Sequence, residues 1–228
     1  MSKCESCIVR QFNSLRAMSK EELKKVSESK TTKSYKKGEA LFEEGDRLDG
    51  VYCVRNGVTK LSKLSSNGKD QIVKLASKGE ILGQRSVIAE ECTNLSAVAM
   101  KDMDACFIPK ENILQTLNTN PNFAVEVLRH MAHDLKEADD VIVNMSQKTV
   151  KQRVAEAFIY LKDSFGEDEN GFLQLSLSRE DMSNVVGTAT ESTIRIISEF
   201  KKKGMIETEG KKVKITNLKQ LSNLVQGL

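Results

Sequence analysis

The stretch from Phe123 to Met145 constrains this chain more than any other. Leu128, Met131, Leu135, Ala138, Ile142 and Met145 recur there at spacings of 3, 4, 3, 4 and 3. That alternation is a heptad, and it lines all six side chains along one narrow seam of a helix. The other faces carry Glu126, Arg129, Asp134, Lys136, Glu137, Asp139 and Asp140, which want water. A helix packed only on its own domain carries a wider apolar stripe than this. The narrow seam favours an identical helix alongside, so the six residues form the expected interface of a homodimer. Pro121 suits the first turn of the helix, after the turn-prone Asn118-Thr119-Asn120, so the helix is expected over 121–145.

A chain of 228 residues suits two small domains. The expected boundary follows the seam helix, giving residues 1–145 and 146–228. Residues 1–30 read as a polar lead-in that carries Cys4 and Cys7. Within it, Ser19 and Glu22 form a capping box for a short helix through Leu23 and Val26. From Lys33 to Pro109 the apolar period becomes two. Leu41-Phe42, Val51–Val54, Val58–Leu64, Ile72–Leu75, Ser96–Ala99 and Ala105–Ile108 read as short strands between glycine turns, with Asn67-Gly68 as a hairpin. Strands of this length and spacing make a jelly roll, whose interior takes side chains or one small ligand.

Beyond the seam, a helix is expected over about 149–161 with a broader apolar face. An acidic loop over 166–171 and a short strand through Phe172, Leu173, Leu175 and Leu177 follow. Ser178 caps a helix that ends at Val186. Gly187 turns the chain, and a second helix runs from about Ala189 to Lys202, with Thr188 and Glu191 as its capping box. Two helices joined by a glycine turn are a helix-turn-helix. Met205-Ile206 and Val213–Ile215, joined through Glu209-Gly210, make a hairpin wing, and Leu218, Leu221 and Leu224 mark a last helix. The fold class is α+β, with an N-terminal jelly roll, a long dimerisation helix and a C-terminal winged helix-turn-helix.

Glu191, Ser192 and Arg195 share one face near the start of the second helix. Arginine bonds guanine O6 and N7 together, and glutamate accepts from the cytosine amine. Lys201, Lys202, Lys203, Lys211, Lys212 and Lys214 suit phosphates, which position a domain without reading sequence. A net charge of +3 agrees weakly with an anionic partner. No apolar run is long enough for a membrane span and no signal peptide opens the chain, so a cytoplasmic protein is expected. Five cysteines in such a chain do not form a disulfide framework; they are free thiols, metal ligands or redox groups. No glycine-rich phosphate loop, zinc-protease motif or nucleophile–base set is present, so the chain is not read as an enzyme. His130 and His133 lie off the seam as solvated residues.

The run Lys37-Gly38-Glu39-Ala40-Leu41-Phe42-Glu43-Glu44-Gly45-Asp46, then Tyr52-Cys53-Val54-Arg55-Asn56-Gly57, resembles the opening of a cyclic-nucleotide-binding barrel. Joined to the seam helix and to Val185-Val186-Gly187-Thr188-Ala189-Thr190-Glu191-Ser192-Thr193-Ile194-Arg195-Ile196-Ile197, it resembles the Crp/Fnr family of bacterial transcription regulators over nearly the whole chain. The resemblance implies a homodimer with a sensor barrel and a helix-turn-helix that reads a palindromic site in double-stranded DNA. It also implies contact with RNA polymerase if the protein is an activator. Thr188, Thr190, Glu191, Ser192, Arg195, Lys201, Lys202, Lys211 and Lys212 are the DNA contacts that follow. A barrel of this kind can instead act on a partner protein; Glu191 and Arg195 argue against that alternative.

Members that bind cyclic AMP carry Gly-Glu and Arg-Ser in the phosphate cassette. This chain has Gly83-Gln84 and Leu95-Ser96, with Arg85 out of register, and Ala138-Asp139 where those members present Thr-Ser. Leu95 removes the cation that a buried phosphate needs, so cyclic AMP is not the expected effector. Gly83, Gln84, Arg85, Leu95, Ser96, Leu135, Ala138 and Asp139 remain the candidate pocket for another ligand. Oxygen-sensing members hold an iron–sulfur cluster with three N-terminal cysteines and one in the barrel. Cys4, Cys7 and Cys106 match that pattern, but Asn13 stands at the third N-terminal position, and Cys53 and Cys92 would need a different geometry. The ligand set is incomplete and the cofactor stays open.

Overall fold

The computed structural model describes residues 3–65 and 68–227. Asn67 of the expected hairpin turn lies outside them. Contacts divide the chain into one compact unit of Met1–Leu64 with Ile72–Ala138 and a second of Ser65–Gln71 with Asp139–Leu228.

The first unit opens with three 3-10 turns, Cys4–Ser6, Ile8–Phe12 and Ser14–Ala17, then α1 (Lys20–Ser29). The lead-in is not merely polar: Val9, Leu15 and Met18 are buried, as are Asn13 and Ser14. These turns have no helical or strand period, which is why their apolar residues read as scattered. The expected Ser19–Glu22 capping box is present in both directions.

Eight strands follow: β1 (Thr31–Tyr35), β2 (Ala40–Phe42), β3 (Gly50–Asn56), β4 (Val58–Leu64), β5 (Asp70–Ser77), β6 (Ile81–Leu82), β7 (Ser96–Ala99) and β8 (Met103–Pro109). They form two four-stranded sheets, ordered β1-β8-β3-β6 and β2-β7-β4-β5. β1, β6 and the short helix α2 (Gln84–Ala89) carry too few alternating residues to be read from sequence. Tyr52 stacks on Phe42 of the facing sheet at 5.7 Å and meets Phe107 edge-on at 5.2 Å. Side chains alternate along a strand. Val51, Cys53, Cys106 and Ile108 therefore occupy the opposite face of β3 and β8, and all four are buried. The N-terminal turns and α1 cover that face together with α3 (Lys110–Thr119).

The seam helix α4 runs over Pro121–Gln147, with Asn120 Oδ1 accepting from the Phe123 N–H. Glu126, expected in water, is buried. It accepts from Arg16 Nε and Nη2 at 3.0 and 2.6 Å and from Arg129 Nη1 at 2.6 Å. These bonds hold its carboxyl below the usual range, Arg16 first and Arg129 next, and they fasten the N-terminal segment to α4.

In the second unit α5 (Val150–Phe165) has a Thr149–Gln152 capping box and runs one turn beyond its expected end. α6 (Arg179–Val186) is capped by Ser178, and Gly187 turns the chain with φ +69°. α7 (Thr190–Lys202), β9 (Ile206–Glu209), β10 (Lys212–Ile215) and α8 (Leu218–Gln226) complete it. The expected strand at Phe172–Leu177 is reduced to isolated bridges, Glu167 with Leu173 and Phe172 with Lys214; Leu173, Leu175 and Leu177 go into the core instead. Phe158, Leu161, Phe200, Ile206 and Leu221 are almost fully buried there. Each such side chain contributes about 1.5–3 kcal/mol of transfer free energy. Among the described residues no helix is long and apolar enough to cross a membrane.

Candidate functional site

α7 is amphipathic. Thr193, Ile196, Ile197 and Phe200 hold it in the core of the second unit. That packing turns Glu191, Ile194 and Arg195 outward, with Ser192 half-buried. Among the described residues neither Glu191 nor Arg195 has an ionic or hydrogen-bonded partner, so both heads are free for a ligand. The expected Thr188–Glu191 capping box does not form. Ala189 is the N-cap without a side-chain bond, and the Thr188 N–H goes to the Ser183 carbonyl at 3.1 Å. Thr190 Oγ1 pairs with Ser183 Oγ at 3.1 Å, which fixes the start of α7 against α6. The helix thus begins with Glu191 unused by its own backbone.

Lys201, Lys202 and Lys211 are exposed. Lys212 lies 4.0 Å from Asp168 and over the Phe172 ring. Lys203 instead joins Lys151 on Glu199, at 2.8 and 2.5 Å. Lys151 first, then Lys203, push the Glu199 carboxyl down to about 2. Arg153 has no sequence signal of its own, yet it is central. Its guanidinium donates to the carbonyls of Val186 at 2.8 Å, Lys148 at 2.7 Å, Met145 at 3.2 Å and Gly187 at 3.4 Å. A cation at the C-terminal ends of two helices satisfies orphan carbonyls and opposes their dipoles. It joins the end of α4 to the helix-turn-helix.

Along α4, Leu128, Leu135 and Ile142 are 64%, 64% and 66% exposed, large apolar side chains seven residues apart. Ala138 is exposed too, while Met131 packs partly on the barrel core and Met145 is half-buried.

The candidate effector residues are dispersed. Gly83, with φ +80°, precedes α2, and a Cβ there would come within 2.5 Å of Leu48. Arg85 is paired with Glu91 at 2.8 Å, and Ser96 Oγ accepts from the Glu44 N–H at 2.9 Å. Leu95 is half-buried, and Leu135, Ala138 and Asp139 are exposed. Gln84 lines a polar cavity of about 100 Å³ with Asn13, Ser14, Lys78, His130 and Asp134. Ser14 is 1% exposed, and its hydroxyl has no partner among the described residues. Exposed His133 lies 3.5 Å from Glu137. His133, Asp134 and Glu137 bring ligand atoms together, but Lys74 already bonds Asp134 at 2.7 Å and Glu137 at 3.3 Å. Burial pulls the Lys74 ammonium down; the bond to Asp134 and the charges of Glu80 and Glu137 outweigh it and hold the ammonium above its usual value.

The cysteines are less dispersed than expected. Cys4, Cys53 and Cys106 belong to one buried cluster, with Cys7 packed on it, while Cys92 is exposed elsewhere. Cys53 and Cys106 are directly opposed across β3 and β8. Burial first, then the thiols of Cys106 and Cys7, raise the Cys53 thiol to about 12 against a hydrogen bond from Asn13; Cys4 adds a smaller push the same way. The sequence alone does not join Cys53 to Cys106, because only the strand register shows that the two share a face.

Two family models match the chain: a cyclic nucleotide-binding domain over residues 32–120 and a Crp-like helix-turn-helix domain over residues 152–224. The chain is 33% identical over 195 residues to the transcriptional activator protein Anr of Pseudomonas protegens, covering 84% of this chain and 79% of that protein. It is 28% identical over 227 residues to the fumarate and nitrate reduction regulatory protein of Escherichia coli, covering 97% and 89%. Among solved structures, FixK2 from Bradyrhizobium japonicum superposes with a TM-score of 0.76 at 24% identity, over 86% of this chain and 96% of that one. A transcriptional regulator of the crp/fnr family from Eubacterium rectale does so with a TM-score of 0.78 at 19% identity, over 93% and 97%. At these identities the two structures speak for the fold alone.

Proposed function

The chain belongs to the Crp/Fnr family of transcription regulators and carries its helix-turn-helix DNA-binding domain, and from that premise we propose that it works as a homodimer reading an inverted repeat in promoter DNA. Sensing belongs to residues 1–145 and DNA binding to residues 146–228. The observation that carries this reading is the pair Glu191 and Arg195, exposed on one face of α7 and without ionic or hydrogen-bonded partners among the described residues. Arg195 takes a guanine and Glu191 a neighbouring cytosine amine, with Thr188, Thr190 and Ser192 at the edge of the same surface. Lys201, Lys202, Lys211 and Lys212 neutralise phosphates.

The seam of α4 supports the dimer. Leu128, Leu135 and Ile142 stand bare in one chain, and a two-fold partner helix covers them. A two-fold dimer reads a two-fold site, with half-sites about one helical turn, roughly 34 Å, apart. Cyclic AMP is not the effector: Leu95 offers no cation, Arg85 is committed to Glu91, and Gln84 faces a small polar cavity. Micromolar affinity for cyclic AMP in calorimetry would overturn that part.

Selection of bound sites from random duplexes tests the whole. Wild type should return an inverted repeat. Arg195→Ala should weaken binding by about 1–3 kcal/mol per half-site and relax preference at one base pair. Lys202→Ala should weaken all sequences alike and lower the salt dependence. If Arg195→Ala keeps the full wild-type base preference, α7 is not the reader.

A further inference from the structure

Ile194 stands apart from the other large apolar side chains of α7. Ile196, Ile197 and Phe200 are 6%, 4% and 0% exposed, whereas Ile194 is 46% exposed. The outward stripe of the helix is Glu191, Ile194, Arg195 and Ser198, all exposed. These positions stand at i, i+3, i+4 and i+7, so they are neighbours on one face. Ile194 follows Glu191 by three residues and precedes Arg195 by one, which places it between the two polar heads. An apolar side chain standing alone elsewhere on a surface needs no explanation. This one lies in the middle of the face that Glu191 and Arg195 occupy. Thr193 and Ile196, on either side of it in the chain, are buried and fix the helix beneath it.

We propose that Ile194 is a specificity-determining residue that selects a thymine by its C5-methyl group, beside the bases taken by Arg195 and Glu191. The proposal rests on α7 being the DNA reader and adds a further base pair to what it reads. Base edges in the major groove present hydrogen-bond donors and acceptors and one apolar group, the methyl of thymine. Isoleucine has neither donor nor acceptor. Laid against guanine, adenine or cytosine it takes water from polar edge atoms and gives them no partner, which costs binding. Laid against thymine it buries a methyl group.

The helix geometry sets which thymine this is. From Glu191 to Ile194 the helix axis advances about 4.5 Å, and successive base pairs are about 3.4 Å apart. Ile194 therefore meets a base pair within about one step of those taken by Glu191 and Arg195. Its β-branched side chain has one strongly preferred rotamer in a helix. The methyl groups of Ile194 are thus held in a set direction before DNA arrives, and little side-chain freedom is lost on binding. Covering one methyl group shifts a binding equilibrium by about fourfold. A two-fold site has two such thymines, so the whole site changes by roughly 15-fold.

The test uses full-length protein and the duplex that wild type selects from random sequence, with affinity read by fluorescence anisotropy at fixed salt. Each thymine of the half-site is replaced in turn, in both half-sites, by deoxyuridine, which removes the methyl and keeps the base pair. Wild type should lose roughly 15-fold at one thymine within a step of the guanine. Ile194→Ala should bind the unmodified duplex more weakly than wild type and lose nothing further on deoxyuridine at that thymine. Ile194→Val, which keeps the branch at Cβ, should retain part of the loss. Ile194 is exposed, so these truncations leave the packing of α7 in place. An equal deoxyuridine effect in wild type and Ile194→Ala would overturn the proposal, because another side chain would then cover the methyl. So would a wild type indifferent to deoxyuridine at every thymine, or a selected half-site with no thymine within a step of the guanine. In each of these results the protein still binds its selected site and the DNA-binding reading stands. A wild type that selects no sequence at all would instead end that reading, and the role of Ile194 with it.

Discussion

Truncating Leu135 to alanine should weaken the dimer by an amount that the exposure of the side chain predicts. Leu135 is 64% exposed in one chain. Full burial of a leucine contributes about 1.5–3 kcal/mol, so covering the exposed two-thirds contributes about 1–2 kcal/mol per chain. Alanine keeps the Cβ share of this, and the two-fold axis doubles the loss, which leaves about 2–3 kcal/mol per dimer. At about 1.4 kcal/mol per decade, the dissociation constant should rise roughly 30- to 150-fold. Sedimentation equilibrium over a concentration series measures this, with circular dichroism to establish that the helix content is kept. Val143→Ala is the matched control. Val143 is 57% exposed on the same helix but stands one residue off the seam, and its truncation should change the constant less than about threefold. An unchanged constant for Leu135→Ala, or an equal effect of Val143→Ala, would refute the seam as the interface.

Two further outcomes follow from the second unit. Arg153→Ala leaves carbonyls at the ends of α4 and α6 without their charged donor, and should destabilise this unit by about 1.5–3 kcal/mol in urea unfolding; a midpoint within error of wild type would remove Arg153 from that role. Glu199 is depressed from 4.5 to about 2, so its pairing with Lys151 and Lys203 stabilises the fold above about pH 4.5 and is lost as pH falls towards 2. The melting-temperature gap between wild type and Glu199→Gln should therefore be widest near pH 6 and close on acidification, and a gap that is constant from pH 6 to pH 2.5 would contradict the assignment.

Local pattern made much of this protein legible. The heptad of α4, the capping box at Ser19, the Ser178 cap and the Gly187 turn each involve residues a few positions apart, and their side chains need no distant partner to define an element. β7 is legible for the same reason, since its one buried face imposes a period of two, whereas β3 and β8, covered on both faces, are marked by their runs of β-branched and aromatic residues. The outward face of α7 followed from its apolar face, because Ile196, Ile197 and Phe200 leave Glu191 and Arg195 nowhere else to point.

Tertiary structure alone decided the rest. The 3-10 turns at the start have no period, so nothing in their spacing marks Leu15 or Ser14 as buried. Glu126 looks like a surface residue until Arg16, 110 positions earlier, pairs with it and removes it from water. Arg153 becomes a clamp only when the ends of α4 and α6 are brought to it. Cys53 reads as an ordinary strand residue. The antiparallel register sets it opposite Cys106, and the packing of the N-terminal turns lays Asn13 against its sulfur. The physical reason is common to all four. Elements arise from short-range sterics and the period of burial, whereas a site made by contacts between different elements depends on which faces meet once those elements have packed.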